Sequence, residues 1–401
     1  MSRFPVLAAA VLLALAPAAA VAQGVEVSAL AAPDAFSVPG RSTGLPATLW
    51  QGASVDTLGR VLPLLAAKPV SPAAAALGRR VLATGAPGPR GVGADGGLTA
   101  ARAEALSALG DPKAASEILL RAPGRDRSAE LSRAAAESAL LAGDDARACA
   151  TEEALTVGRE EVYWLRLRAY CQAIAGQTAQ AQLTFDLAQT AARDAVFGRL
   201  MSAKLAGAGS PGAPSLRNGL DLALSRNLGL DLTAAKPAPA VAAALAGAEP
   251  AEPAWTIPEG DSDTLTAARL IAGAQAVPTD LLQRLLDAAA KADAKTRTRS
   301  EGAALLVAAL AGDDSPDLRG RLAALATPEG KTPVGRNLAL DAAARGKLMG
   351  EAAMLSLWTA AEAGAAGPGV ADRARIIRAL REVGLDADAR AFAVEGLLAL
   401  K

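Results

Sequence analysis

The sequence predicts an all-α fold in which helical hairpins stack into a solenoid, and three features of the 401-residue chain predict it. Aromatic residues make up 3% of the chain while hydrophobic residues make up 51%, and alanine supplies much of that fraction. Small side chains suit closely approaching helices, whereas sheets are enriched in β-branched and aromatic residues. A glycine–alanine pattern also recurs regularly, and amphipathic stretches separated by Gly, Pro or Asp fill the C-terminal part. We expect two helical blocks joined by a Pro- and Ala-rich segment.

The first residues have the pattern of a cleaved secretory signal, assigned to residues 1–22. One basic residue precedes an apolar run at 6–15, and a small-x-small triplet occupies positions 20–22. The run is shorter than the 20 or so residues that cross a bilayer, and no later stretch reaches that length without Gly, Pro or charge. We therefore expect cleavage before Gln23 and a periplasmic product with no stable membrane insertion. Residues 23–48 are expected to form a disordered or extended segment.

Charge and composition exclude several classes of function. The chain has 41 Lys and Arg against 41 Asp and Glu, and removal of the signal leaves a net charge of −1. Such a balance does not favour a nucleic-acid partner. The chain has no histidine, which excludes His-containing zinc sites and the common Ser/His and Cys/His catalytic groups. No cofactor and no metal are expected, and the chain is not predicted to be an enzyme.

An internal repeat organises residues 49–206, the first helical block. Three helices end at a glycine and restart within a turn at an alanine five residues later, and these glycines are 33 residues apart. A helical hairpin cannot bury its apolar face alone, so a regular interval of this size predicts stacked hairpins. The pairs are Gly110 with Ala115, Gly143 with Ala148 and Gly176 with Ala181, and a fourth pair, Gly384 with Ala389, lies near the C-terminus.

On these residues the chain resembles the tetratricopeptide-repeat superfamily, whose repeat is about 34 residues long. The third unit matches best, because Phe185 and Ala188 follow at positions where the family has an aromatic and a small residue. The second unit has Glu152 and Leu155 there and departs from the pattern, so the repeats are divergent. The resemblance covers residues 98–197, and it implies a solenoid whose concave face binds a protein or peptide.

The middle of the chain, residues 207–262, is rich in Pro, Gly and Ala, which forbids a continuous helix. It is either a linker between blocks or a strap across the solenoid anchored by Trp255. A second helical-repeat block is expected over residues 263–401, with eight helices forming four hairpins. The expected helices are 264–274, 278–292, 299–310, 316–326, 334–345, 350–363, 371–383 and 387–400.

Residues 158–177 contain both tyrosines of the chain, one tryptophan and one of the two cysteines. A helix over 161–175 is apolar around much of its circumference, as expected for a helix between two repeats. Cys149 and Cys171 lie symmetrically about a turn near Gly158, so an antiparallel hairpin places their thiols at the same height. We therefore predict a structural disulfide in an exported chain.

Two further patterns have simpler structural interpretations. Residues 91–96 read G-x-G-x-x-G, but a dinucleotide site needs a preceding strand, so this stretch is expected to be a connector. The sequence Gly-Asp-Asp occurs at 143–145 and again at 312–314. Both lack the alternating oxygen ligands of a calcium loop, so their aspartates are expected to cap helix N-termini.

The function expected first is that of a non-catalytic periplasmic scaffold or adaptor that binds a protein or peptide. The residues expected to contact the partner are Tyr163, Trp164, Arg166, Arg168 and Gln177. An alternative is an accessory or assembly factor of an envelope machine, such as a flagellar motor, a pilus or a secretion system.

A peptidoglycan-active enzyme of the solenoid lytic-transglycosylase type is the alternative from another class. In that class a catalytic Glu precedes a Ser, as Glu137 precedes Ser138 here. We expect Glu137 instead to lie on a solvated helix face. The chain contains neither a serine followed three residues later by lysine nor a G-x-S-x-G motif, which excludes the two commonest serine-nucleophile signatures.

Overall fold

The computed structural model describes residues 34–207, 211–246, 253–294, 296–312 and 315–400. These ranges contain helices and no strand, which confirms the predicted all-α class. The predicted signal, residues 1–22, and the first part of the 23–48 segment lie outside the described residues. No helix in the described ranges combines the length and apolar character needed to cross a bilayer.

Nine helices precede residue 207 in the part of the chain that the structure describes. They are α1 (Val55–Ala67), α2 (Pro72–Ala83), α3 (Gly96–Ala108), α4 (Pro112–Arg121), α5 (Ala129–Ala142), α6 (Asp145–Ala154), α7 (Val162–Ile174), α8 (Thr178–Ala191) and α9 (Ala195–Ala206). Ten more follow in the described residues. They are α10 (Gly219–Asn227), α11 (Pro239–Ala246), α12 (Asp263–Ala272), α13 (Thr279–Lys291), α14 (Arg297–Ala311), α15 (Pro316–Ala323), α16 (Val334–Arg345), α17 (Met349–Ala363), α18 (Val370–Glu382) and α19 (Asp386–Ala399).

The turns inside four helical hairpins share one backbone geometry. In each, a glycine with positive φ follows the first helix, and the next amide donates to the carbonyl five residues earlier, as in a Schellman turn. The alanine five residues after each glycine is completely buried, as close approach of two helices requires. The pairs are Gly110 (φ 94°) with Ala115, Gly143 (φ 82°) with Ala148, Gly176 (φ 75°) with Ala181, and Gly384 (φ 82°) with Ala389.

A fifth hairpin, α16–α17, has the same turn with a lysine in place of the glycine. Lys347 has a φ of 55°, and the Leu348 amide donates to the Ala343 carbonyl. Ala352, five residues after Lys347, is completely buried like its counterparts. The glycine pattern misses this turn because the residue is a lysine. The alanine five residues later is the signal in the sequence that identifies it.

Helices α3 to α9 pack in chain order. Helix α3 lies against α4 and α5, α5 lies against α4 and α6, and α7 lies against α6 and α8, while α9 packs on α8. The later helices of this series enclose their own core around Trp164, Tyr170 and Phe197. Packing of each hairpin on its neighbour along the chain is what stacked repeats require.

A single core joins the two ends of the chain and crosses the expected boundary between the two blocks. Buried residues from 35–135 and from 267–397 form one continuous cluster. Helix α1 packs against α17, and α2 packs against both α17 and α19. The reason is that α1 and α2 carry apolar side chains, such as Leu62 and Leu77, that α3 alone does not cover, so they also pack on the C-terminal helices.

The described part of the 23–48 segment, residues 34–48, has turns and no helix, and it packs into the core. Phe36 is fully buried beside Trp50, with ring centroids 4.8 Å apart. Beneath them Arg102 donates to the carbonyls of Leu82, Ala35 and Thr84 at 2.7, 3.1 and 2.9 Å. Burial lowers the pKa of Arg102 to about 9. The contact between the two rings anchors the segment to the core. The low aromatic content of the sequence gives no indication of this contact.

The described residues of the middle segment, 207–262, contain two α-helices that lie against the preceding helices. Helix α10 packs on α5 and α9, while α11 packs on α3 and α5. Trp255 is half-buried against the main core. We call α10 and α11 with the residues that join them the strap.

The eight stretches expected after residue 263 coincide with α12–α19 to within about three residues at each end. Three of the four expected hairpins are present, because α12 packs on α13, α16 on α17 and α18 on α19, whereas α14 does not pair closely with α15. Helix α14 packs on α13, α18 and α19, and α12 packs on α19. The reason is that α15 buries only Leu318 and so offers α14 little apolar surface.

Candidate functional site

The side chains of α7 expected to contact a partner are largely engaged inside the molecule. Trp164 is completely buried, so the expectation that it contacts a partner is wrong. The reason is that its helix lies between neighbouring helices on more than one side, where the largest ring fills the core. Tyr163 is half-buried and lies edge-on to Trp164, with ring centroids 5.0 Å apart.

The two arginines of α7 make contacts within the protein. Arg166 donates to the Ala192 carbonyl at 2.9 Å, and its guanidinium lies 5.4 Å from the Phe197 ring centroid. Arg168 forms an ion pair of 2.7 Å with the buried Glu152. Of the five expected residues, only Gln177 is exposed, at the turn between α7 and α8.

The predicted disulfide is present. Cys149 of α6 and Cys171 of α7 are bonded, with their Cα atoms 5.6 Å apart. The two cysteines line a cleft of about 500 Å³ together with Arg168 and Gln177. The disulfide thus fixes α6 to α7 beside the only exposed residue of the expected set.

Helix α8 carries an exposed apolar pair that the sequence interpretation missed. Leu183 and Leu187 lie one turn apart and are 65% and 54% exposed. They lie opposite the core-facing residues Ala181, Phe185 and Ala188. The signal in the sequence is that leucines at a four-residue spacing fall on the helix face opposite the repeat's own small residues. We call Leu183 and Leu187 the α8 pair.

Helix α16 carries a second exposed apolar pair. Val334 and Leu338 are 69% and 62% exposed and also lie four residues apart. On the neighbouring face the Arg336 guanidinium lies 4.3 Å from the Trp358 ring centroid and forms two 2.8 Å hydrogen bonds with Glu362. These contacts join α16 to α17 beside the two aliphatic side chains.

A cleft of about 300 Å³ lies between α3, α5, the start of α7 and the strap, and we call it the α5 cleft. Its walls are mostly alanine with Leu119, Leu141 and Val241, because the helices around it are built from small residues. Its polar lining is contributed by Glu104, Ser107, Arg133, Glu137, Ser138, Tyr163, Arg217 and Asn218. The α5 cleft therefore combines apolar walls with a small group of titratable side chains.

Glu137 lies inside the α5 cleft, so the expectation that it lies on a solvated helix face is wrong. Its Oε2 accepts a 2.6 Å hydrogen bond from the amide of Gly219, the first residue of α10. Its Oε1 is buried and makes no hydrogen bond within the described residues. Burial raises the pKa of Glu137, although the Gly219 amide, Tyr163 and Arg133 act in the opposite direction. The strap is what encloses this carboxylate.

The groups around Glu137 form one electrostatic cluster. The Tyr163 hydroxyl interacts with the Glu137 carboxyl and lowers the pKa of that carboxyl. Burial raises the pKa of Tyr163 well above its usual value. Desolvation also raises the pKa of Glu104, while Arg133 opposes that shift. The Arg133 guanidinium lies 5.2 Å from the Tyr163 ring centroid.

The two Gly-Asp-Asp sequences and residues 91–96 have structural roles where they are described. Asp144 caps α6 by accepting a 3.0 Å hydrogen bond from the Arg147 amide. Asp145 instead binds the Tyr170 hydroxyl and Arg226, each at 2.9 Å. In the second Gly-Asp-Asp, residues 313–314 lie outside the described residues. Residues 91–95 form turns, and Gly96 begins α3 with no strand before it in the described chain.

The described part of the chain contains no group of three or more Cys, Asp or Glu side chains that could hold a metal ion. Comparison of the chain with protein-family models, curated proteins and solved structures finds no match. An assignment of function therefore depends on the α8 pair, the α16 pair and the α5 cleft.

Proposed function

We propose that this chain is a non-catalytic scaffold of the bacterial periplasm that binds a protein partner through the α8 pair. The observation that carries the proposal is the exposure of Leu183 and Leu187 on successive turns of one helix. Adjacent exposed leucines on a rigid helix supply the apolar centre that protein interfaces need. Polar residues surround the pair, among them Gln180, Asp186 and Thr190, and they would form the rim.

The rigid support of the pair is consistent with a binding role. Helix α8 packs closely on α7, and the disulfide fixes α7 to α6. A surface fixed in this way loses little conformational entropy when a partner covers it. The exposed α16 pair offers a second surface of the same character, as an adaptor between two partners needs. Such an adaptor fits the assembly or stator role in an envelope machine, the alternative within the same class.

Export through a cleaved signal supports the periplasmic location. The pattern at residues 1–22 is that of a secretory signal. A disulfide between the only two cysteines of the chain favours an oxidising compartment, since cytosolic thiols are kept reduced.

Peptidoglycan cleavage is the second candidate, and one observation favours it. Burial raises the pKa of Glu137, as a general acid at neutral pH requires. Against it, one oxygen of that carboxylate already holds the Gly219 amide and so fixes the strap. A turnover assay on purified cell-wall sacculi separates the candidates. Cleavage that is lost in Glu137→Gln supports the enzyme and removes the scaffold proposal.

Site-specific photo-cross-linking in living cells tests the scaffold proposal. A photoreactive amino acid is placed at position 183 or 187, and in the matched control at the exposed Lys291 of α13. We expect one discrete cross-linked species from positions 183 and 187 and none from position 291. Equal cross-linking from all three positions, or none from any, would contradict binding through the α8 pair.

A further inference from the structure

The two helices of the strap are attached to the rest of the molecule in different ways. Helix α10 buries all of residues 219–225 and adds polar contacts to the repeats. The Gly219 amide donates to Glu137 at 2.6 Å, and Arg226 forms an ion pair of 2.9 Å with Asp145. Directional contacts and buried side chains together make α10 an integral part of the fold.

Helix α11 is attached by apolar contacts alone. Its sequence, Pro-Ala-Val-Ala-Ala-Ala-Leu-Ala, has no polar side chain, and within the described residues no hydrogen bond joins residues 239–246 to the helices beneath them. Val241 is its only buried residue, in a small cluster with Leu216 and Leu222 that is separate from the two main cores. Leu245 is 46% exposed. Local opening of α11 therefore exposes little apolar area, so it costs less free energy than opening of α10.

The surface beneath α11 is suited to a docked helix. Helix α11 packs mainly on α3 and α5, which are the first helices of two successive hairpins, and it also touches α1 and α4. Small residues at a four-residue spacing, Ala103 and Ser107 of α3 and Ala134 and Ser138 of α5, line this surface beside α11. Small side chains let a further helix approach closely. We call the surface of α3 and α5 under α11 the α11 groove.

Helix α11 fills the α11 groove incompletely. The α5 cleft, about 300 Å³ in volume, is lined by Ala240 and Val241 together with residues of α3 and α5. Protein interiors are normally close-packed, so a helix that leaves this volume open lacks contacts that a longer apolar side chain at position 240 makes. A helix from another protein with such a side chain therefore competes favourably with α11.

We propose that the α11 groove is a docking site for a helix of a partner protein, and that α11 occupies the groove until the partner helix displaces it. The recognised helix consists largely of alanine and places one branched aliphatic side chain where Val241 lies, as the seated α11 does. A charge on its docking face is excluded, because the charge would be buried without a counterion. Other helices form the α8 pair, so this site goes beyond the scaffold proposal and does not depend on it.

The test adds to the full chain a fluorescently labelled peptide with the sequence of residues 236–246 and follows binding by fluorescence anisotropy. Val241→Asp places a charge at the buried position, so α11 leaves the groove and the peptide should bind saturably at concentrations up to about 1 mM. The wild type should bind it at least about tenfold more weakly, because its own α11 occupies the groove in most molecules. Leu245→Asp, at an exposed position of the same helix, is the matched control and should behave as wild type. A peptide that itself carries Val241→Asp should not bind.

Hydrogen exchange followed by mass spectrometry tests the proposal on the wild type. Amides of residues 242–246 should exchange at least about tenfold faster than those of residues 222–227, because α11 opens locally whereas α10 opens only with the repeats. If Val241→Asp does not fold, this measurement decides alone.

Four outcomes would overturn the docking site. They are equal exchange in α10 and α11, equal peptide binding by wild type and Val241→Asp, no saturable binding to a folded Val241→Asp, and peptide binding that survives the same substitution in the peptide. Dimerisation of the wild type that Val241→Asp abolishes would also contradict it, because a second copy of the chain, and not another protein, would then supply the helix.

Discussion

Glu395 and Ala73 are 322 residues apart in the chain, and the Ala73 amide donates a 2.8 Å hydrogen bond to Glu395 Oε2. The other carboxylate oxygen of Glu395 is ion-paired with Arg373. Both side chains are buried, and Ala73 lies in the first turn of α2. The contact therefore joins α19 to α2. Stacked repeats alone would not bring these two helices together.

The Glu395→Ala variant should lose about 3–5 kcal/mol of unfolding free energy, because it leaves the buried Arg373 charge and the Ala73 amide without their partner. Urea denaturation followed by circular dichroism measures the loss. Glu117→Ala, which removes an exposed ion pair with Arg121, is the matched control and should change stability by less than about 1 kcal/mol. Equal effects in the two variants would show that the ends of the chain are not fastened here.

Removal of the disulfide should cost about 3 kcal/mol, because the bond closes a loop between residues 22 apart in the sequence. The double variant Cys149→Ser–Cys171→Ser should unfold at lower urea concentration than the oxidised protein. The reduced protein should behave like the double variant, and the double variant should not respond to reductant. If reductant leaves the wild-type midpoint unchanged, the pair does not stabilise α6 against α7.

Exchange of glycine and alanine should change stability in opposite directions at two turn positions that have a positive φ. Gly143→Ala should destabilise by about 1 kcal/mol, because its φ of 82° is unfavourable for a residue with a Cβ. Ala274→Gly should stabilise by a few tenths to about 1 kcal/mol, since Ala274 already has a φ of 55°. Thermal unfolding of the two variants provides the comparison. A shift of the same sign in both would contradict the turn geometry.

Glu137→Gln should change the pH dependence of stability. Burial raises the pKa of Glu137 in the folded protein above the ordinary value of 4.5, so the ionised form costs stability at pH 7. That cost disappears as pH falls through the raised pKa towards 4.5. The Gln variant should therefore be more stable than wild type at pH 7, and the difference should shrink on acidification. Urea midpoints at several pH values measure it, with Glu130→Gln as the exposed control. A difference that grows on acidification would contradict the assignment.

Local sequence patterns predicted most of the helices, because glycine, proline and aspartate mark their ends. The helix predicted at 334–345 agrees with α16 at both ends. Its partner turn at Lys347 escaped the pattern because a lysine rather than a glycine has the positive φ there, and the Nζ of that lysine donates to the Glu382 carbonyl. Periodicity thus predicts elements well and unusual turn residues poorly.

The features that the sequence did not predict depend on contacts between distant residues. Glu137 is enclosed because Gly219 lies 82 residues further along the chain and returns to α5. The hydrogen bond between Glu395 and Ala73 also joins residues far apart in the chain, so no local periodicity predicts it. Trp164 was expected near the surface because one helix alone does not reveal how many neighbours cover it.

The α8 pair is tested most directly with the partner that cross-linking identifies. The affinity of the purified partner is compared between wild type and the double variant Leu183→Asp–Leu187→Asp, with unfolding midpoints measured in parallel. Because both leucines are exposed, we expect an unchanged fold and an affinity reduced at least about tenfold. Unchanged affinity in a folded double variant would contradict the proposal that this chain binds its partner through α8.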